Sequence, residues 1–214
     1  MDVVLGFVGD GFTIIATDAG QTRSIMRIKA DEDKIPELDE YKIMGCAGDA
    51  GDRTHFAEFV AKNLKLYELR NDTALTTAEA AAWTRKALAD ALRRKPWQVN
   101  TLIGGYDEVD GASLYFMDYL AAMAKVPFGA HGYGAYFTYG LMDRMWRPNM
   151  SEDEILAILD ACIAELQTRF MVSMPAFFVK KVDASGVTVL RSINSFDDER
   201  ARVGDDEAAA ASTN

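Results

Sequence analysis

The chain has 214 residues, 49% hydrophobic and 26% charged, the make-up of an ordinary globular domain long enough to bury a substantial core. Its 23 Lys and Arg against 33 Asp and Glu leave a formal charge of −10, which argues against a surface built for nucleic acid or for an anionic membrane. No apolar run approaches the ~20 residues of a membrane span, and Asp2 with the break at Gly9-Asp10-Gly11 leaves no apolar stretch of the kind a signal peptide needs, so no targeting segment is expected. The two cysteines, Cys46 and Cys162, are too few for a disulfide framework; both fall in apolar patterns and read as buried reduced thiols of a cytosolic or nuclear protein.

In chain order, apolar runs at 3–8 and 12–16 flank the turn signal "GDG" and predict a hairpin. Residues 24–28 alternate weakly, Lys34-Ile35-Pro36 opens a further extended piece, and "YKIMGCAG" (41–48) reads as a buried strand ending in small residues. Phe56, Phe59, Val60, Leu64 and Tyr67 then recur at helical steps over about 53–69. A second helix is predicted from Thr76 or Thr77, with Pro96 ending it. "VNTLIGGY" (99–106) and "ASLYFMDY" (112–119) follow as strands joined by an acidic turn, with a short extended piece near 126–131. A helix over about 135–146 stops before Pro148, and the next starts at Ser151, where Glu154 three residues on completes a capping box. "PAFFVKKVD" and "VTVLRS" around "DASG" close the chain as a hairpin.

Hairpins make antiparallel strands, and each helix pair must cover a sheet face. The fold class that follows is α+β: a four-layer αββα sandwich, two antiparallel sheets between two helix layers. Residues 1–196 are expected to form one domain, and residues 197–214 read as a mobile acidic tail.

Most candidate chemistry in the sequence has a structural explanation. His55 and His131 are too far apart, and too isolated from other ligand types, to predict a metal site. "GGY" (104–106) and "HGYGAYFTYG" (131–140) lack both the P-loop lysine and the dinucleotide spacing, so close backbone packing explains them better and no cofactor is expected. The acidic run "DEDKIPELDEY" reads as a solvated loop. Asp18, at the end of an apolar strand, and Lys34, at the start of the next extended piece, form either a structural ion pair or a charge-balancing pair in a catalytic cleft.

Several ordered motifs carry a resemblance that spans about residues 2–190. "GDGFTIIATD", Lys34, "YKIMGCAGDAGD", "FAEFVAKNLKLYELRN", "FMDYLAAMAKVPFGAHGYGA" and "YGLMDR" resemble proteasome beta subunits, most of all the non-catalytic subunits at the fourth position of the eukaryotic beta ring. The resemblance implies the αββα fold of N-terminal-nucleophile hydrolases, the same layer order as the pattern above. It also implies how active members work: a threonine exposed by cleavage after a glycine attacks the peptide with its own α-amine as base. An aspartate and a lysine tune that threonine, and a glycine N–H helps form the oxyanion hole.

Carried onto this chain, the aspartate falls on Asp18, the lysine on Lys34 and the oxyanion glycine on Gly48, but the nucleophile position holds Asp2. A family serine aligns with Tyr133 and a late aspartate with Phe170, while Ser173 still matches a family serine. Met1 is expected to be retained before the bulky acidic Asp2. No Gly-Thr or Gly-Ser junction offers a processing point, and the Gly45-Cys46 step lies inside a predicted core strand.

The reading is a catalytically silent subunit of the 20S core, with no catalytic residue of its own. Lys34 is expected to pair with Asp2 as well as Asp18, filling the old site with opposed charges. The alternative is an active N-terminal-nucleophile peptidase or amidase after unrecognised processing. Implied partners are other proteasome alpha and beta subunits in a stacked-ring hetero-oligomer, with no nucleic acid or membrane, in the cytoplasm and nucleus. "YFTYGLMDRMW" (136–146) and "RFMVSMPAFF" (169–178) are rich in aromatic residues and methionine, and read equally as core or as interface.

Overall fold

The computed structural model describes residues 2–23, 26–172, 174 and 176–191. The acidic segment 197–214, Met1 and Ser173 lie outside the described residues.

The chain opens with β1 (Val3–Val8) and β2 (Phe12–Asp18), then the short ribbon β3 (Gln21–Arg23) and β4 (Met26–Lys29), and β5 (Glu37–Asp39) and β6 (Lys42–Gly48). Helices α1 (Ala50–Asn71) and α2 (Thr77–Ala91) follow. Strands β7 (Val99–Asp107), β8 (Gly111–Met117), β9 (Met123–Lys125) and β10 (Phe128–Gly132) lead into α3 (Ala135–Met145) and α4 (Glu152–Arg169), and the hairpin β11 (Phe177–Asp183) and β12 (Gly186–Arg191) ends the described chain. Two five-stranded antiparallel sheets result, in the orders β10-β1-β2-β11-β12 and β5-β6-β7-β8-β9.

Three apolar layers define the four structural ones. Val3, Leu5 and Phe7 of β1 and Phe12, Ile14 and Ala16 of β2 pack beneath α3 and α4 with Met142, Ile155, Leu159, Cys162 and Leu166. Met44, Cys46 and Ile103 pack beneath α1 and α2 with Phe56, Val60, Leu64, Ala80 and Leu88. Between the sheets lie Val4, Ile15, Ile35, Ile43, Leu102, Leu114 and Val182. Successive residues of a strand point to opposite faces, so β1 and β2 feed two apolar layers at once. That is why they read as unbroken hydrophobic runs rather than alternating ones. At Gly104 the sheets approach so closely that a Cβ would lie 2.7 Å from Thr13 Cγ2, and on the other face a Cβ at Gly105 would lie 2.2 Å from Thr77 Oγ1 of α2, which together account for the glycine pair in "GGY".

The αββα architecture expected from the sequence is the one observed. Differences are local. α1 starts at Ala50 rather than near residue 53, because Asp49 caps it by accepting from the N–H groups of Gly51 and Asp52. α2 ends at Ala91, one turn earlier than Pro96 requires, and β9, only three residues long, adds an edge strand after β8. The acidic run at 31–41 is not a simple solvated loop. Lys180, which is buried, donates to Ile35 O at 2.8 Å and pairs with Asp33 and Glu37, while Glu32 pairs with Arg53. Burying two cations against this segment requires carboxylates on it, a demand the local composition does not reveal.

The aromatic segments are mostly core. Thr138 and Met142 are buried, Phe137, Leu141, Met145 and Trp146 pack on the same layer, and Phe170, Met174 and Phe177 join them. Only some residues point out, Tyr136 at 86% exposure and Met171 at 93% foremost.

Candidate functional site

β1 begins, β2 ends and β6 ends at the same edge of the sandwich. The register brings this about: Val4 lies opposite Thr17 across the β1–β2 ladder, and Gly48 opposite Val99 at the end of β6. Asp18 therefore sits beside the start of β1, where its Oδ1 accepts the Val3 N–H at 2.8 Å and its Oδ2 accepts the Gly20 N–H at 3.2 Å. Lys34 enters from the segment before β5 and is fully buried. Its ammonium donates to Asp18 Oδ2 at 2.9 Å, to Asp2 Oδ1 at 2.7 Å and to Gly20 O at 2.7 Å, which uses all three of its protons.

The second oxygen of Asp2 faces β6 and α1. Asp2 Oδ2 accepts the Gly48 N–H at 3.0 Å and Arg53 Nη1 at 3.0 Å, and Arg53 Nη2 continues to Glu32 Oε1 at 2.7 Å. Arg53 can do this because it lies in the first turn of α1, directly after Gly48. The carboxylate of Asp2 thus also sits at a helix N-terminus, where the backbone dipoles favour negative charge. Two backbone positions hold the arrangement. Gly48 has φ +140°, and a Cβ there would lie 2.1 Å from Gln98 O; Gly132 has φ +83°, and a Cβ there would lie 1.8 Å from Asp2 O. Neither position accommodates a side chain.

Three carboxylates (Asp2, Asp18, Glu32) and two cations (Lys34, Arg53) share this end of the fold. Burial pushes the Asp2 carboxyl up, but Lys34, Arg53 and the Gly48 N–H outweigh it and hold the group below the ordinary aspartate value. For Asp18 burial wins: its carboxyl lies above the ordinary value despite Lys34 and the Val3 N–H. Cys46, buried beneath Arg53 on β6, has its thiol pushed up to about 12 by burial and is no nucleophile at neutral pH. Both cysteines are free. Among the described residues no three His, Cys, Asp or Glu are grouped to hold a metal ion, and no helix is long and apolar enough to cross a membrane.

Four of the aligned residues, Asp2, Asp18, Lys34 and Gly48, therefore come together at hydrogen-bond distance. Tyr133 follows Gly132 with its side chain 60% exposed, and Phe170 caps α4 with its ring against Phe137, centroids 5.7 Å apart, so neither joins the charge cluster. Arg53 and Glu32 are the members that sequence reasoning missed. The signal for Arg53 was available: an N-cap at Asp49 puts residue 53 in the first helical turn, next to the glycine of the site. His131, buried while His55 is exposed, is remote in role. It stacks on Phe116 with centroids 4.1 Å apart and places Nε2 3.0 Å from Thr101 O.

An αββα sandwich whose first strand starts beside a buried Asp–Lys pair and a positive-φ glycine is the frame of an N-terminal-nucleophile hydrolase. Residues 2–180 match the proteasome subunit family. The chain is 48% identical to proteasome subunit beta type-2-A of Arabidopsis thaliana over 186 residues, 87% of this chain and 91% of that one. It is 41% identical to proteasome subunit beta type-2 of Dictyostelium discoideum over 193 residues, 89% and 97% of the two chains. With proteasome subunit beta type-4 of Saccharomyces cerevisiae it shares 37% identity over 198 residues, 92% and 98%. This chain belongs to the proteasome beta-subunit family.

Proposed function

We propose that the chain is a non-catalytic structural subunit of the beta ring of the 20S proteasome core, at the fourth ring position. There it contributes ring contacts and part of the chamber wall for ubiquitin-dependent protein degradation, with other alpha and beta subunits as its partners. The observation that carries this reading is the Asp2 carboxylate, held by Lys34, Arg53 and the Gly48 N–H. At the place where an active relative presents a threonine hydroxyl, this chain presents an ionised carboxylate whose two oxygens already accept three donors. The Gly48 N–H, which in an active site would stabilise an oxyanion, is occupied by that carboxylate as well. Asp18 and Lys34 then serve as an ion pair that holds the start of β1.

The fungal relatives named type-4 favour this ring position, while the plant and slime-mould relatives carry the name type-2. Processing to an active peptidase or amidase finds no support in the fold. Cleavage at Gly45-Cys46 would cut β6 in mid-ladder, where Gly45 faces Leu102 and Cys46 faces Thr101. We place the protein in the cytoplasm and nucleus, a reading supported by its two buried free thiols; imaging of a fluorescent fusion checks it.

Sedimentation of the native protein, followed by intact-mass analysis, tests the function. The expected result is a chain in a particle far larger than itself, carrying Met1 or Asp2 at its terminus. A chain that sediments alone, or one whose mature terminus is Thr, Ser or Cys, overturns the proposal.

A further inference from the structure

The outer face of the α1–α2 layer carries an open groove of about 510 Å³. Its floor is aromatic: Phe59 of α1 lies 5.6 Å from Trp83 of α2 and 6.5 Å from Trp97, ring centroid to centroid. Phe59 is 40% exposed, and both tryptophans are half-buried. On the same helical face, seven residues on from Phe59, Leu66 is also exposed. Lys86, Arg94 and Lys95 stand on the rim. Lys86 is paired with Asp90. Arg93, Arg94 and Lys95 follow one another in the turn after α2, all exposed, and make no ion pair among the described residues. In a chain of net charge −10, three successive cations beside three aromatic rings are a local reversal of the surface's sign.

We propose that this groove docks an acidic segment of a neighbouring subunit, whose apolar side chain lies across Phe59, Trp83 and Trp97 while its carboxylates pair with Arg94 and Lys95. This rests on the reading of the chain as a ring subunit. Trp and Arg are the residue types on which interface binding energy concentrates. The guanidinium fork of Arg94 matches a carboxylate in two parallel hydrogen bonds. A covering segment would shield those bonds from water and raise their strength, and the aromatic floor is apolar surface that a subunit buries on assembly. A partner face that is itself basic would be repelled, so the charge selects the partner's chemistry.

Carbodiimide cross-linking of the native particle, which joins a lysine amine directly to a carboxylate, reads the contact when linked peptides are mapped by mass spectrometry. Lys95 or Lys86 is expected to link to an Asp or Glu of another subunit. A chain carrying Arg94→Glu and Lys95→Glu, whose wild-type side chains make no ion pair among the described residues, is expected to enter the particle about tenfold less well than wild type, the scale of one hot-spot contact. Links confined to this chain (residues 197–214 included), links to a second copy, no links at all, or undiminished incorporation of the double variant would overturn the inference. Absence of the wild-type chain from the particle would instead overturn the proposed function.

Discussion

Lys34 is the residue on which the candidate site turns, because one ammonium group compensates two buried carboxylates. Lys34→Met keeps the length and removes the charge, leaving Asp2 with Arg53 and Asp18 with backbone N–H donors only. The expected cost is about 3–5 kcal/mol, the scale for breaking a buried ion pair by removing one partner, read by denaturant unfolding of the full chain. Acid response separates two kinds of buried group. Asp2, depressed below 3.8, contributes stability that is present above that value and lost as pH falls through its lower folded value. Asp18 is raised, so its contribution has the opposite sign, falling as pH rises from 3.8 through its higher folded value, and the pair partly cancels. His131 has the opposite sign to Asp18 and acts over a window that begins at about pH 4, where the two overlap. Burial pulls its imidazole down from 6.5 to about 4, so between those values the unfolded chain binds a proton that the folded one does not. The His131 contribution to stability should fall as pH drops from 6.5 to 4, by about 3 kcal/mol over the window. His131→Gln, unfolded at a series of pH values, should flatten that limb of the profile.

At the scale of elements, local signals decided where helices start and tertiary contacts decided where strands lie. The Ser151 capping box is formed as the sequence implies, and the structure adds a second at Thr76, each N-cap hydroxyl accepting the N–H of the glutamate three residues on. Thr76→Ala should cost about 1 kcal/mol, seen as an earlier thermal transition with the same secondary-structure content. The start of α1 was misplaced because Asp49 and Gly51 resemble loop residues, and that error hid Arg53. β9 was missed because three residues carry no periodicity; it exists because Tyr115 and Met117 of β8 offer it a ladder. Gly48 ties the end of β6 to the site. Gly48→Ala forces a Cβ onto Gln98 O at a φ that side chains avoid, and should destabilise the chain more than Thr76→Ala does, measured by the same transition.

For the whole molecule, the layer order was legible because β1 and β2 are apolar on both faces and the two helix pairs each need a sheet to cover. The aligned positions Asp2, Asp18, Lys34 and Gly48 were legible through family motifs, and the fold brings them within hydrogen-bond reach of one another. The placement of Arg53 beside Gly48 was within reach of the Asp49 cap signal, but its ion pairs and the roles of Glu32 and Lys180 were not legible, since each depends on charges brought together across at least twenty residues of chain. On the proposed function, assembly is where this geometry finds its use: an αββα frame whose Asp2, Asp18 and Lys34 are paired with one another, and an aromatic groove with a basic rim on the outer helix layer. The central claim is that the site at Asp2 is closed to chemistry, and one measurement addresses it directly. A covalent probe that reacts with N-terminal threonine is applied to the native proteasome core, and every subunit is examined for adducts by intact mass. The account predicts adducts on active subunits and an unchanged mass for this chain; an adduct on this chain would contradict it.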